Sequence, residues 1–189
     1  MYTKYNTEAL VLVTYESGEA DRSVVLYTRD FGLVRARASG VRLERSKMRY
    51  SLQAYSFSRV SLVRGKNGWR AAGATSVRSL PSGAITTSFA RVSSLASRLI
   101  AGEERNDYLF AALADAHASL AECAPESVPT IEIMCVARVL YALGYISAEA
   151  QDTTLFSHTI YAHEHVAEAR RAQDALLFSI NKALNEAQL

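Results

Sequence analysis

The pattern of the chain changes at Leu80-Pro81-Ser82-Gly83, and this break limits what its 189 residues can fold into. Before the break, apolar residues come in short runs rich in Val, Tyr, Phe and Thr, cut by turn residues at the roughly eight-to-twelve-residue spacing of small all-β domains. After it the composition shifts to Ala, Leu and Glu, and apolar residues recur at helical spacing. The expected fold class is therefore α+β, with a β domain over residues 1–80 and an α-helical domain over 81–189. With 49% hydrophobic residues, the chain can build its cores without disulfides or metal.

Five strands are expected in the first part. The first runs from Ala9 to Tyr15 and ends at Glu16-Ser17-Gly18, and the second runs from Ser23 to Thr28. After a tight turn at Arg29-Asp30-Phe31-Gly32 comes Leu33 to Ser39, where Val34, Ala36 and Ala38 alternate with Arg35 and Arg37. That alternation predicts one core face and one charged face. Gly40 opens a polar loop from Arg42 to Arg49, followed by a fourth strand from Leu52 to Arg64, the turn Gly65-Lys66-Asn67-Gly68, and a fifth strand from Trp69 to Val77. Five curled strands in about 80 residues predict an N-terminal five-stranded OB-like β-barrel.

Four helical patterns follow. Phe89, Val92, Leu95, Leu99 and Ile100 mark the first, which Gly102 can stop. Leu109, Phe110, Leu113, His117 and Leu120 mark a second, opening near Asn106-Asp107. Ile131 to Leu143 is apolar on almost every side and ends at Gly144, which predicts the buried central helix of a bundle. The fourth runs from Val166 through Leu176, Leu177, Ile180 and Leu184.

Charge divides the chain at the same place. Residues 1–80 hold fourteen Lys and Arg against six Asp and Glu, a balance of +8, whereas residues 81–189 hold seven against thirteen, a balance of −6. A basic half is the electrostatic footprint of a polyanion binder, because each cation that meets a phosphate releases condensed counterions. The densest charge is Val41 to Arg49, which carries Arg42, Arg45, Lys47 and Arg49 against Glu44 alone. With Arg35, Arg37, Arg59, Arg64, Lys66 and Arg70 these residues form the expected nucleic-acid-contacting belt. Tyr55 and Phe57 share strand parity with Arg59, so a base could stack there, although Tyr55, Phe57 and Trp69 better suit the core of a small barrel.

Other chemistries find little support in the residues. No run approaches the roughly eighteen apolar residues of a membrane span, and Met1 to Glu8 does not read as a signal segment, so a cytoplasmic protein is expected. Cys123 and Cys135 match neither a disulfide framework nor a zinc pair. His158, His163 and His165 with Glu164 fit no metal spacing such as HExxH, and His117 falls in an apolar stripe. GxSxG, GxxxxGK[ST] and GxGxxG are absent. Glu16, Glu19, Asp21 and Asp30 could in principle hold Mg²⁺ for a nuclease, but they read more simply as turn-capping acids. No catalytic residue, metal or cofactor is expected.

Several segments resemble a known family. Glu8-Ala9-Leu10-Val11-Leu12, then Gly18-Glu19-Ala20-Asp21-Arg22, then Leu26-Tyr27-Thr28-Arg29-Asp30-Phe31-Gly32-Leu33-Val34, are similar in order and spacing to the opening of the RecO family of DNA repair proteins. Ala38-Ser39-Gly40-Val41-Arg42 with Ser46-Lys47 resembles that family's glycine-basic segment. Leu52-Gln53-Ala54-Tyr55-Ser56-Phe57 resembles its L-x-P-F segment, with Ala54 in place of proline, and Val139 to Tyr145 resembles the end of its central helix. The resemblance implies an OB-fold domain and a helical domain that bind single- and double-stranded DNA, anneal strands, and work with RecR to load RecA onto SSB-covered DNA. After Tyr145 many members carry a four-cysteine zinc module, whereas Ile146 to Leu189 holds no cysteine, so this is expected to be a short member without zinc.

The leading expectation is thus a non-enzymatic DNA-binding recombination mediator. The alternative is a protein-binding adaptor that keeps the fold and works through the acidic helical half and an apolar groove beside the third helix. A salt-dependent DNA affinity separates the two.

Overall fold

In the computed structural model, residues 3–147 and 154–187 are described. Five strands, β1 (Lys4–Ser17), β2 (Asp21–Thr28), β3 (Gly32–Ala38), β4 (Phe57–Gly65) and β5 (Gly68–Arg78), close into a barrel in the order β1-β2-β3-β5-β4. Among the described residues five α-helices follow: α1 (Ala84–Leu99), α2 (Asp107–Glu122), α3 (Val128–Ala142), α4 (His163–Arg171) and α5 (Gln173–Glu186). The chain divides into two compact units, one of residues 1–80 with 93–106 and one of residues 81–92 with 107–189.

One long strand makes closure possible. The first half of β1 pairs with β4 (Lys4 opposite Val63 to Leu10 opposite Phe57), and its second half pairs with β2 (Ala9 opposite Thr28 to Ser17 opposite Asp21). An irregularity between Val11 and Val13 lets the strand turn the corner. β1 is longer than its apolar run predicts because ladder hydrogen bonds recruit the polar residues Lys4 to Glu8. The barrel shuts where β3 meets β5 in parallel, Ala36 opposite Trp69 and Arg37 opposite Arg70.

The interior is filled by Ala9, Val11, Val24, Leu26, Val34, Ala36, Ala38, Val60, Leu62, Trp69 and Ala71, capped by Val41 and Leu52. On β3 the alternation holds: Val34, Ala36 and Ala38 are buried while Arg35 and Arg37 are exposed. The expected start of the fourth strand at Leu52 is corrected to Phe57. Leu52 is buried as a strand residue would be, but it reaches the core from a loop, and Tyr55 takes a left-handed conformation (φ 66°) that no strand accommodates. Gly32 is obligatory for a different reason. At φ 64° a Cβ there would land on the backbone of Glu104.

In the helical unit α3 is central, packing on α2, α4 and α5. Its buried residues are Val128, Thr130, Ile131, Met134, Cys135, Ala137, Arg138, Val139 and Leu140, so the helix is covered on nearly every side. α2 buries Leu109, Phe110, Ala112, Leu113, Ala116, His117 and Leu120 at helical period. The single fourth helix expected from Val166 is two, since the chain breaks at Ala172, and the first begins earlier, at His163.

Burial pushes the Cys135 thiol up to about 12 and raises the Tyr161 phenol well above its ordinary range. Acids with raised native pKa values contribute stability that is complete below their unfolded values and is lost as pH climbs past them. Thermal melts between pH 7 and about 11 should therefore show Tm falling from about pH 9 upward, and Cys135→Ala should remove part of that fall.

Candidate nucleic-acid interface

The ten cations of the expected belt fall into two groups. Four are engaged by carboxylates: Arg37 with Asp21 (2.7 Å), Arg42 with Glu16 (3.2 Å), Arg59 with Glu8 (3.9 Å) and Arg64 with Glu103 (3.2 Å). Arg35, Arg45, Lys47, Arg49, Lys66 and Arg70 have no carboxylate within salt-bridge distance among the described residues. The second group is the more available to phosphate, since an arginine already facing an acid must give up that contact first.

Asp21 organises the base of the loop after β3. Its Oδ2 accepts hydrogen bonds from Arg37 Nε (3.0 Å) and a terminal guanidinium nitrogen (2.7 Å), while Oδ1 accepts from the Gly40 N–H (2.7 Å). The Gly40 bond and Arg37 hold its carboxyl below the usual carboxylate value. Arg42 ties the same loop to the β1–β2 turn, donating from its side chain to the Gly18 carbonyl (3.1 Å) and from its backbone to the Ala20 carbonyl (2.9 Å). Beyond this clamp the loop folds as successive turns, Ser46 N–H to the Leu43 carbonyl and Arg49 N–H to the Ser46 carbonyl. Arg45 and Lys47 stand exposed on those turns, and the Arg49 guanidinium lies 5.8 Å from the Tyr50 ring.

Two pockets collect the rest. One, about 480 Å³, is lined by Arg37, Ser39, Lys66, Asn67, Trp69 and Arg70 together with backbone at Gly65 and Gly68. It exists because the parallel β3–β5 pairing sets the end of β3 beside the β4–β5 turn. The other, about 740 Å³, lies between the loop and the β4–β5 face, where Lys47 and Arg59 meet Asn6, Ser46 and Ser61. Neither is lined by an acid. Arg35 lines neither pocket, and Arg45 and Arg49 stay on the loop.

The aromatic residues resolve differently from the charges. Phe57 is buried, with Arg78 over its ring at 5.1 Å, and Tyr55 lies outside the strand, so no stacking face forms beside Arg59. Trp69 belongs to the core, where its ring centroid is 5.3 Å from that of Phe31 and 5.6 Å from that of Tyr5, with Arg64 5.2 Å above it. Asp21 and Glu16, candidate metal ligands by sequence, each face an arginine. His158 and His165 stack at 5.8 Å, and no group of three or more His, Cys, Asp or Glu among the described residues could hold a metal ion. His117 is buried edge-on against Phe89 at 5.1 Å. Among the described residues, no helix is long and apolar enough to cross a membrane.

The roles of Asp21, Glu16 and Glu8 were not visible in the linear sequence. Only the β2–β3 register, Arg22 opposite Ala38 and Ser23 opposite Arg37, brings Asp21 to the end of β3.

A closed barrel of this strand order, with a long β3–β4 connection, is an OB-like domain. Residues 1–77 match the family model described as recombination protein O N terminal. Over those residues the barrel is similar to the N-terminal domain of recombination protein O.

Proposed function

We propose that the protein is a non-enzymatic DNA-binding mediator of recombinational repair, which binds single- and double-stranded DNA through the barrel and anneals complementary strands. By family, RecR, SSB and RecA are its partners, and assisting RecA loading is its task. The observation that carries this reading is the coincidence of a barrel similar to the RecO N-terminal domain with six cations that face no carboxylate among the described residues. Neutralising two backbones on one basic surface lets complementary bases meet, a task that needs positioning but no bond-making residue.

Fluorescence anisotropy with labelled oligonucleotides at several salt concentrations tests it. The expected result is binding of both forms that weakens steeply with salt, by about 0.7 logarithmic units per contacted phosphate on single strands and about 0.9 on duplex. The DNA should remain uncut in Mg²⁺. Absence of binding at low salt, or an affinity indifferent to salt, would favour the adaptor reading.

A further inference from the structure

The helical unit carries a groove of about 570 Å³ with a character opposite to that of the barrel. One wall is a stripe of α2, Asp115, Ala118, Ser119 and Glu122; the other is Ile160 to His163 with Val166, and Ile131 of α3 completes it. Among the described residues no Lys or Arg lines it. Asp115 and Glu122 are seven residues apart on one helix face, about 10 Å along its axis. Ile160 is 60% exposed, an apolar side chain that folding leaves in water at the groove edge.

We propose that this groove docks a basic amphipathic helical segment of a partner protein. Aliphatic side chains of the segment settle on Ile160 and Val166, and two cations spaced two helical turns apart meet Asp115 and Glu122. The occupant follows from charge complementarity: carboxylates spaced along one wall reward cations at the matching spacing and repel an acidic segment. The −6 balance of residues 81–189 extends that preference beyond the groove and keeps DNA phosphates away. This goes beyond the DNA reading, because it gives the helical unit a partner of stated chemistry.

The test uses the full chain and a labelled amphipathic peptide of about 14 residues, with Lys at two positions seven apart and Leu between them. A twin with Glu at the Lys positions is the control. The lysine peptide should bind at least roughly tenfold tighter than its twin, and the double substitution Asp115→Asn with Glu122→Gln should remove most of that difference. Ile160→Ser should weaken both peptides, while DNA affinity stays at the parent value in all variants. Circular dichroism and melting keep a lost fold distinct from a lost contact. Equal binding of both peptides, or undiminished binding by the double variant, would overturn the proposal. Loss of DNA binding by the parent chain would instead count against the proposed function, and the peptide comparison would still decide the groove.

Discussion

Replacing Arg45, Lys47 and Arg49 together by Ala should weaken DNA binding roughly a hundredfold at low salt and flatten the salt dependence by about two to three units, since each lost phosphate contact removes about 0.7 to 0.9. Among the described residues these three face no carboxylate, so a phosphate gains their charge without displacing an acidic partner. Arg42 is left in place because it anchors the loop through Glu16, Gly18 and Ala20; its removal would mix a lost contact with a displaced loop. The melting temperature should hardly move, because such loop cations are worth only a few tenths of a kcal/mol each. Binding should weaken for all sequences alike, as expected of backbone contacts. An intact fold with unchanged affinity and slope would shift the main contact to the pocket of Arg37, Lys66 and Arg70.

The sequence made the barrel legible where one physical cause dominates. The β3 alternation could be read because its core face and charged face differ in every residue from Val34 to Ala38. The start of β1 could not, since apart from the buried Thr7 the residues Lys4 to Glu8 join the sheet through backbone pairing with β4 rather than through burial. Leu52 misled in the opposite sense: it is fully buried, yet it fills the barrel from a loop. The break between α4 and α5 at Ala172 has no glycine or proline to signal it. At the candidate site the cations were legible as charge, but their availability was not. That depends on pairs such as Glu8 with Arg59 and Glu103 with Arg64, which only the fold brings together.

Arg138→Met should destabilise the protein by roughly 3–5 kcal/mol, the order expected when three hydrogen bonds from one charged donor are lost. Arg138 is 1% exposed on α3 and has no carboxylate within salt-bridge distance among the described residues. Its guanidinium donates to three backbone carbonyls instead, Leu155 (2.9 Å), Thr159 (2.8 Å) and Ile160 (3.2 Å), and lies 4.5 Å from the Tyr161 ring centroid. The segment leading into α4 has no helix or strand of its own between Leu155 and Ala162, so its carbonyls turn to side chains, and His165 Nδ1 also lies 3.2 Å from the Ile160 carbonyl. One planar fork reaches three of them, fixing the segment against α3 much as a structural crosslink would. Met fills a similar volume but donates nothing, so the segment loses the three hydrogen bonds of the guanidinium. At about 2–4 °C per kcal/mol for a chain of this size, the melting temperature should fall by roughly 10 °C. Arg138→Lys should fall between parent and Met, because an ammonium reaches some of the carbonyls without spanning all three. Urea unfolding of the three proteins measures the order directly. Met as stable as the parent would mean that apolar packing, not the guanidinium, holds the segment, whereas the expected order makes Arg138 its anchor.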